Sequence, residues 1–446
     1  MSVSSSELVK EKDSHDPKRL TKAAFLPPPR CRIPRAKSRW ESWERQGRSG
    51  NGACSAAPPL WPFDSFEHRF IVLLSAHPYF KIHALGASAR SAGRTYKEAT
   101  RWKQSVPIPK AVEQVIVREC KADQFKGCEI VFSGLDSDVA GEIGQSSPFQ
   151  PRTVAQNFCV EESAFRSAEL AVFSNAGNYR RDPLCPLVVP LVNTSHFDIL
   201  PHQRALHSPP LSKGFIVTNA NCSTTGLAIP LKALEDAFGR LECVMVTTMQ
   251  AISGGGYPGV SSMDILDNVV PLIGGEEEKM EWELSKILGG ISSDATEFDL
   301  RKQEPMKISA ACNRVPVLDG HTECASIRFV NRPPPTPEQV KDALRKFTCE
   351  VQDLQCPSAP QQAIFVHEEP DRPQPRLDRY FQNGSGVSVG RVRVCPVMDI
   401  KFVVLANNVS IGAATSSIIN VRSFCRSRRR SLIKSQAEYA VAKGIV

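Results

Sequence analysis

No apolar run in this 446-residue chain approaches the roughly 20 residues needed to span a bilayer; the strongest, Phe70-Ile71-Val72-Leu73-Leu74, is far shorter, which argues against a membrane partner. The 14 cysteines form no CxxC pair and no His–Cys cluster of zinc spacing. Neither a metal site nor a disulfide framework is indicated, and a reducing compartment, the cytoplasm, fits best. No internal repeat is evident. The net charge of +8 is not spread over the chain: residues 1–50 carry +6 and residues 421–436 another +6, leaving the remainder at −4. The globular body is therefore mildly acidic, and a nucleic-acid-binding face is not expected.

What is present is ordinary for a globular protein of two or three domains, with 41% hydrophobic and 23% charged residues. Residues 1–67 are polar, basic and Pro-rich (Pro27-Pro28-Pro29-Arg30) and read as disordered. A transit peptide would suit their Arg and Ser content, but Glu7, Glu11, Asp13 and Asp16 argue against it. From Phe70, short β-type runs alternate with helical stretches as in a doubly wound α/β sheet: Ile82–Leu85, Ile130–Phe132, Leu170–Phe173 and Pro186–Pro190. Beyond Asn221 longer strands are expected at Leu241–Met249, Ala325–Val330 and Ala363–His367. Glu276 to Leu288 has helical spacing, with its acids in the first turn. Met398–Leu405 reads as another strand, and Asn408–Ala414 as the opening of a closing helix.

The most informative stretch is Asn219-Ala220-Asn221-Cys222-Ser223-Thr224-Thr225-Gly226, between the β-type run Phe215–Val217 and the helical pattern Leu227, Leu231, Leu234, Phe238. A cysteine at a strand-to-helix junction faces the unpaired N–H groups and positive end of the helix, which favour thiolate. The small hydroxyl residues after it can cap the helix, while Pro230 is expected to delay or kink its start. On this octapeptide alone, a nucleophile and a buried structural thiol are both open. Further along, Arg314-Val315-Pro316-Val317-Leu318-Asp319-Gly320-His321 supplies a fork for carboxylate or phosphate and a histidine of the kind that serves a thiol as base. Met249-Gln250-Ala251-Ile252-Ser253-Gly254-Gly255-Gly256-Tyr257-Pro258-Gly259 ends a strand. Its glycines permit close backbone approach to a ligand, and Gln250 offers amide donors.

Together, in this order, these motifs resemble aspartate-semialdehyde dehydrogenases, most closely the archaeal and fungal branch. So do His83-Ala84-Leu85-Gly86-Ala87-Ser88-Ala89-Arg90-Ser91-Ala92-Gly93, Phe132-Ser133-Gly134-Leu135-Asp136-Ser137-Asp138 and Pro258-Gly259-Val260-Ser261-Ser262-Met263-Asp264. The likeness covers roughly Phe70 to Asn420 and the last ten residues. It implies an α/β fold with a Rossmann-like NADP-binding domain plus a mixed α/β catalytic and dimerisation domain. The expected bounds are 68–220 for the first, 221–393 for the second, and 394–446 for a return to the first.

The implied reaction is NADPH-dependent reductive dephosphorylation of L-aspartyl 4-phosphate to L-aspartate 4-semialdehyde and phosphate, in threonine and methionine biosynthesis. Cys222 would form the acyl-thioester, His321 act as acid and base, and Gln250 orient the intermediate. Arg314 would grip the substrate α-carboxylate with Glu276 near the amino group, and Lys279 and Arg180 would bind phosphate. Ser88, Arg90 and Ser91 would hold the adenosine 2′-phosphate of NADP, with Ser133 and Asn408 also at the cofactor. A homodimer or homotetramer is implied, and no metal.

The chain departs from the family in three places. The family's GxxGxxG loop runs from a strand into a helix that begins QRF; here His68-Arg69-Phe70 follows Pro58 to Glu67, which hold no glycine and no apolar strand. Residues 144–160 and 421–436 are insertions, the second splitting Ser417–Asn420 from Ala437–Val441. Both inserts read as translated introns and residues 1–67 as a misplaced start. A non-catalytic or cofactor-defective homologue, or a mispredicted gene model, is therefore the alternative to the enzyme. N-acetylglutamyl-phosphate reductase shares the thiol–histidine chemistry and is a second alternative. A cysteine hydrolase fits less well with the β/α segments and Arg90.

Overall fold

The computed structural model describes residues 66–87, 91–134, 162–256 and 259–425, together with the backbone of two short strands before them. Residues 144–160 and 426–436 of the two insertions lie outside the described residues.

Two sheets organise the chain. The first has the strand order β4-β3-β1-β2-β5-β6-β8-β7, with β1 Trp43–Arg45, β2 Cys54–Ser55, β3 Leu85–Ala87, β4 Val117–Glu119, β5 Ile130–Ser133, β6 Ala171–Ser174, β7 Leu187–Val188 and β8 Phe215–Asn219. Strands β5, β6 and β8 are parallel and in register, Val131 opposite Val172 and Phe173 opposite Val217. They are short, β-branched and aromatic, and nearly every residue is buried, as a parallel sheet covered on both faces requires.

Helix α1 (Phe66–Ser75) and residues 415–425 (α5) cover one face of this sheet, where Phe70, Phe132, Phe173, Phe215, Ile418 and Val421 share a core. The expected strand Ile82–Leu85 lies a little later, since only Leu85–Ala87 finds partners on β1 and β4.

Two of these strands fall in the stretch read as disordered. Trp43–Arg45 runs antiparallel between β3 and β5, with Trp43 opposite both Gly86 and Ser133. Cys54–Ser55 runs parallel to β5, Ser55 opposite Phe132. Open edges on β3 and β5 leave backbone groups that must be paired, and they recruit whatever chain precedes α1.

The second sheet has the order β10-β9-β11-β14-β13-β12, with β9 Leu241–Gln250, β10 Lys307–Arg314, β11 His321–Phe329, β12 Ile364–Val366, β13 Val387–Val394 and β14 Ile400–Ala406. Helices α2 (Cys222–Phe238), α3 (Glu276–Ile287) and α4 (Pro337–Lys346) contribute Leu227, Leu231, Leu234, Met280, Leu284, Val340 and Leu344 to its core. The other face stays open in the single chain: Met245 is 50% exposed and Cys324 is exposed.

Strand β11 starts at His321 rather than near Ala325, because pairing with both β9 and β14 extends back to Thr322 and His321. Helix α2 also departs from expectation. It begins at Cys222 and runs through Pro230 without a break. Residue i−4 from that proline is Gly226, and a Cβ there would fall 2.7 Å from the Ala406 Cβ, so the bare glycine is what lets α2 approach β14.

After β14 the chain returns to the first sheet through a π-turn, Ser410–Ala414, and α5. Buried amides tie this return in place: Asn219 Nδ2 donates to Asn175 Oδ1 (2.8 Å), Ala413 O (2.9 Å) and Ser417 Oγ (2.7 Å). Residues 421–425, read as the start of an insertion, continue α5, with Val421 fully buried and Phe424 packed edge-on against Phe215. Their apolar positions follow Ile418 at helical spacing, so the packing accepts them.

Candidate active site

Cys222 is the first residue of α2, carried there by β8. The preceding residue, Asn221, caps the helix: its Oδ1 accepts the N–H groups of Ser223 (3.0 Å) and Thr224 (3.3 Å). The cap is therefore Asn221 and not the hydroxyl residues that follow the cysteine, since only the residue before the first turn can reach those N–H groups. Cys222 Sγ lies 3.2 Å from His321 Nε2, bringing together residues 99 apart in the chain.

His321 is completely buried, and its Nδ1 accepts the Ala251 backbone N–H at 3.0 Å. Burial, and secondarily the Arg314 guanidinium, holds its pKa well below the ordinary histidine value, so the ring is neutral at physiological pH.

Arg314 ends β10, opposite Gln250 at the end of the parallel β9. It is buried, and among the described residues its fork meets one acceptor, the Ala251 carbonyl at 2.8 Å; no carboxylate pairs with it. An uncompensated guanidinium inside a protein is costly, and an anionic ligand would remove that cost.

Gly254 explains how closely this group converges. A Cβ there would fall 2.9 Å from Arg314 Nη1 and 3.1 Å from His321 Nε2.

Glu276 opens α3 and joins the cluster from the other side. Its Oε2 accepts Asn221 Nδ2 (2.8 Å) and Gln250 Nε2 (3.4 Å), and its Oε1 accepts Lys279 Nζ (2.8 Å). Burial alone would raise this carboxyl. The Lys279 ammonium, the hydrogen bonds from Lys279 and Asn221, and the Arg180 guanidinium outweigh it and hold Glu276 below the ordinary carboxylate range.

Arg180 is linked one step further out: Nη1 binds Glu283 Oε1 at 2.8 Å and Nη2 binds the Asn175 carbonyl at 2.8 Å, while Glu283 Oε2 accepts the Asn221 backbone N–H at 2.7 Å. Lys286, one turn on, donates to the carbonyls of Arg180, Asp182 and Cys185. Its burial pulls its pKa down to about 8.

Of the expected cofactor residues, Ser88 and Arg90 lie outside the described residues. Ser91 and Ser133 are buried just beyond β3 and at the end of β5, on the same edge of the parallel sheet. Asn408 Oδ1 accepts the Gly320 N–H (2.9 Å) and its Nδ2 donates to Ser253 Oγ (2.8 Å), clamping the turn before His321 to the glycine-rich segment. A cavity of about 830 Å³ opens at the opposite edge, where β5, β6 and β8 begin, and holds none of these residues.

Sequence reasoning passed over Glu283 and Ala251. Glu283 stands seven residues after Glu276, on the same face of α3, and that spacing was available as a signal. Ala251 acts through its backbone and carries no side-chain signal.

Comparison with known proteins fits this arrangement. Residues 68–147 match the semialdehyde dehydrogenase NAD-binding domain, and residues 231–411 match the semialdehyde dehydrogenase dimerisation domain. The aspartate-semialdehyde dehydrogenase of Cryptococcus neoformans is 57% identical over 380 residues, 85% of this chain and 94% of the relative. That of Saccharomyces cerevisiae is 50% identical over 360 residues, 80% and 93% of the two chains. The crystal structure of the Candida albicans enzyme with NADP superposes with a TM-score of 0.72 at 48% identity, covering 83% of this chain and 98% of that one.

Proposed function

We propose, from the premise that this chain belongs to the aspartate-semialdehyde dehydrogenase family, that it interconverts L-aspartyl 4-phosphate and L-aspartate 4-semialdehyde through an acyl-thioester on Cys222. The observation that carries this reading is the Cys222–His321 contact at 3.2 Å beside a buried Arg314 that has no acidic partner among the described residues. A thiol nucleophile and an anion-seeking fork are what an amino-acid carbonyl substrate requires. Arg314 takes the α-carboxylate bidentately; Glu276, kept ionised, receives the ammonium group. Gln250, fixed by Glu276, orients the acyl group. Lys279 and Arg180 place positive charge on the phosphate side, each already balanced by a glutamate, so phosphate shares them with Glu276 and Glu283.

NADP is the cofactor of this reading, and it supplies or accepts the hydride when bound. The fit is supported at the ribose end, where Ser91 Oγ is fully buried without a hydrogen-bond partner among the described residues. Ser133, at the end of β5 where nucleotides bind in open α/β sheets, and Asn408 are the further cofactor residues of this reading. The open face of the second sheet, within the matched dimerisation domain, is the surface through which two copies associate. Among the described residues no helix is long and apolar enough to cross a membrane, and a cytoplasmic location goes with this reading.

Phosphate-dependent NADP reduction by purified full-length protein with L-aspartate 4-semialdehyde tests the proposal. Turnover that requires both phosphate and Cys222 is expected. Turnover without phosphate, or with Cys222→Ser intact, would overturn it.

A further inference from the structure

We infer that Lys286 is a positioning residue for phosphate: its ammonium gathers three backbone carbonyls of the segment between β6 and β7 and so fixes Arg180 at a set distance from Cys222. The inference deepens the functional reading above and rests on it for the role of Arg180.

Residues 175–186 join β6 to β7 without helix or strand. Short turns hold them locally, closed by Arg180 N–H to Gly177 O (3.2 Å), Asp182 N–H to Tyr179 O (3.1 Å) and Cys185 N–H to Asp182 O (3.3 Å). Turns of that kind leave open where the segment stands against the rest of the site. Lys286 sets that place. Its Nζ donates to the carbonyls of Arg180 (2.9 Å), Asp182 (2.9 Å) and Cys185 (2.8 Å), so each of its three protons has one acceptor.

A lysine is a costly choice here. Lys286 is 1% exposed, and lysine is almost never that buried without an acidic partner. Among the described residues its hydrogen bonds go to carbonyls alone, and the rings of Phe298, 4.5 Å away, and Trp282, 5.8 Å away, present their faces to the charge. Burial pulls its pKa down to about 8, which still leaves the amine mostly charged at neutral pH. Methionine would fill the same space with no charge to desolvate. Only a cation draws three carbonyls together, as a bound ammonium ion would.

Arg180 is thereby held at both ends by one helix. Lys286 takes its carbonyl, and Glu283, three residues earlier on the same face of α3, takes its guanidinium at 2.8 Å. The second oxygen of Glu283 accepts the N–H of Asn221, the residue before Cys222, at 2.7 Å. Helix α3 is therefore the spacer between the Arg180 fork and the thiol, with Lys286 as its anchor at the Arg180 end. Without that anchor the segment is free to relax onto Glu283 and carry the fork away from phosphate. A misplacement of about 1 Å is already costly at a reacting site.

Inorganic phosphate is the probe that tests this. In full-length protein at constant ionic strength, phosphate should slow alkylation of Cys222 by iodoacetamide, followed by mass spectrometry of the Cys222 peptide. The phosphate concentration for half protection should rise at least about tenfold in Lys286→Met, while unfolding stays cooperative. In turnover, KM for phosphate should rise alike, with KM for the semialdehyde and kcat at saturating phosphate little changed. If Lys286→Met does not fold, Lys286→Gln, which keeps an amide donor group for the carbonyls, carries the same measurement. In Lys286→Ala, propylammonium should restore the protection and propanol should not, because the amine brings charge and donors as well as volume. Unchanged half protection in a folded variant, equal rescue by propanol, or no phosphate protection in the parent overturns the inference. Turnover of the semialdehyde decides the functional reading separately. If turnover is absent while half protection shifts as stated, that reading fails and the placement of Arg180 by Lys286 stands.

Discussion

Gly412 packs directly on Cys222: a Cβ added to the glycine would fall 2.9 Å from the Cys222 Cβ and 3.2 Å from its Cα. The contact exists because β14 returns to the first sheet through the π-turn Ser410–Ala414, whose wider backbone presses Gly412 against the start of α2. Gly412→Ala must displace either the nucleophile or that turn. A shift of about 1 Å at a reacting group can cost about 10²-fold in rate, so kcat should fall by one to two orders of magnitude with KM little changed. An unaltered kcat would mean the turn yields and Cys222 does not.

Cys222→Ser should leave the fold intact and abolish phosphate-dependent oxidation, because a serine hydroxyl in this setting lacks thiolate nucleophilicity. Residual activity within about tenfold of the parent, about 1.4 kcal/mol of barrier, would reveal a different nucleophile.

Arg314→Lys should raise KM for the semialdehyde strongly. An ammonium keeps the charge but cannot form the two-pronged carboxylate contact, and one charge-assisted contact is worth about 1.5–3 kcal/mol. Steady-state kinetics at saturating phosphate and NADP read this directly. Unchanged saturation would place the substrate carboxylate elsewhere.

Glu283→Ala would strand the Arg180 guanidinium, whose partner sits 2.8 Å away with side-chain exposures of only 8% and 2%. Removing one member of a buried pair typically costs about 3–5 kcal/mol. Urea unfolding should show a loss of that size, and a loss below about 1 kcal/mol would indicate that water reaches the vacated site.

On the proposal that the open face of β9 joins two copies, Met245→Arg should shift sedimentation toward the monomer in analytical ultracentrifugation without disturbing the core, since Met245 points away from α2. A charge placed in a shared interface is expected to weaken association by at least about tenfold, or 1.4 kcal/mol. Persistence of the dimer at low micromolar concentration would move the interface to another surface.

NADPH affinity tests the segment between β2 and α1. No glycine stands between Ser55 and Phe66, where bare N–H groups would otherwise approach the pyrophosphate. Losing several contacts of about 1.5–3 kcal/mol each moves a micromolar cofactor toward millimolar. Calorimetric titration should find weak binding, and a micromolar constant would show another phosphate cradle.

Much of this protein was legible along the chain because local chemistry leaves local marks. The parallel strands announced themselves by β-branched and aromatic runs, and α3 by acids in its first turn. Cys222 and Arg314 were marked by their residue types at strand ends. Other features carry no such mark. Pro230 was a misleading local signal, because helix propensity is weak beside the burial of Leu227, Leu231 and Leu234. Trp43–Arg45 became a strand only because two sheet edges lacked a partner. Residues 421–425 looked foreign by composition and were absorbed by a hydrophobic face that accepts any apolar side chain of suitable size and phase. The Ala251–His321 contact, the closeness of Gly412 to Cys222 and the Arg180–Glu283–Asn221 chain depend on groups 62 to 190 residues apart, or on backbone atoms that every residue shares. Short-range pattern fixes which chemical groups the chain carries. Their distances, and therefore their protonation and reactivity, arise only when two sheets close on one helix terminus.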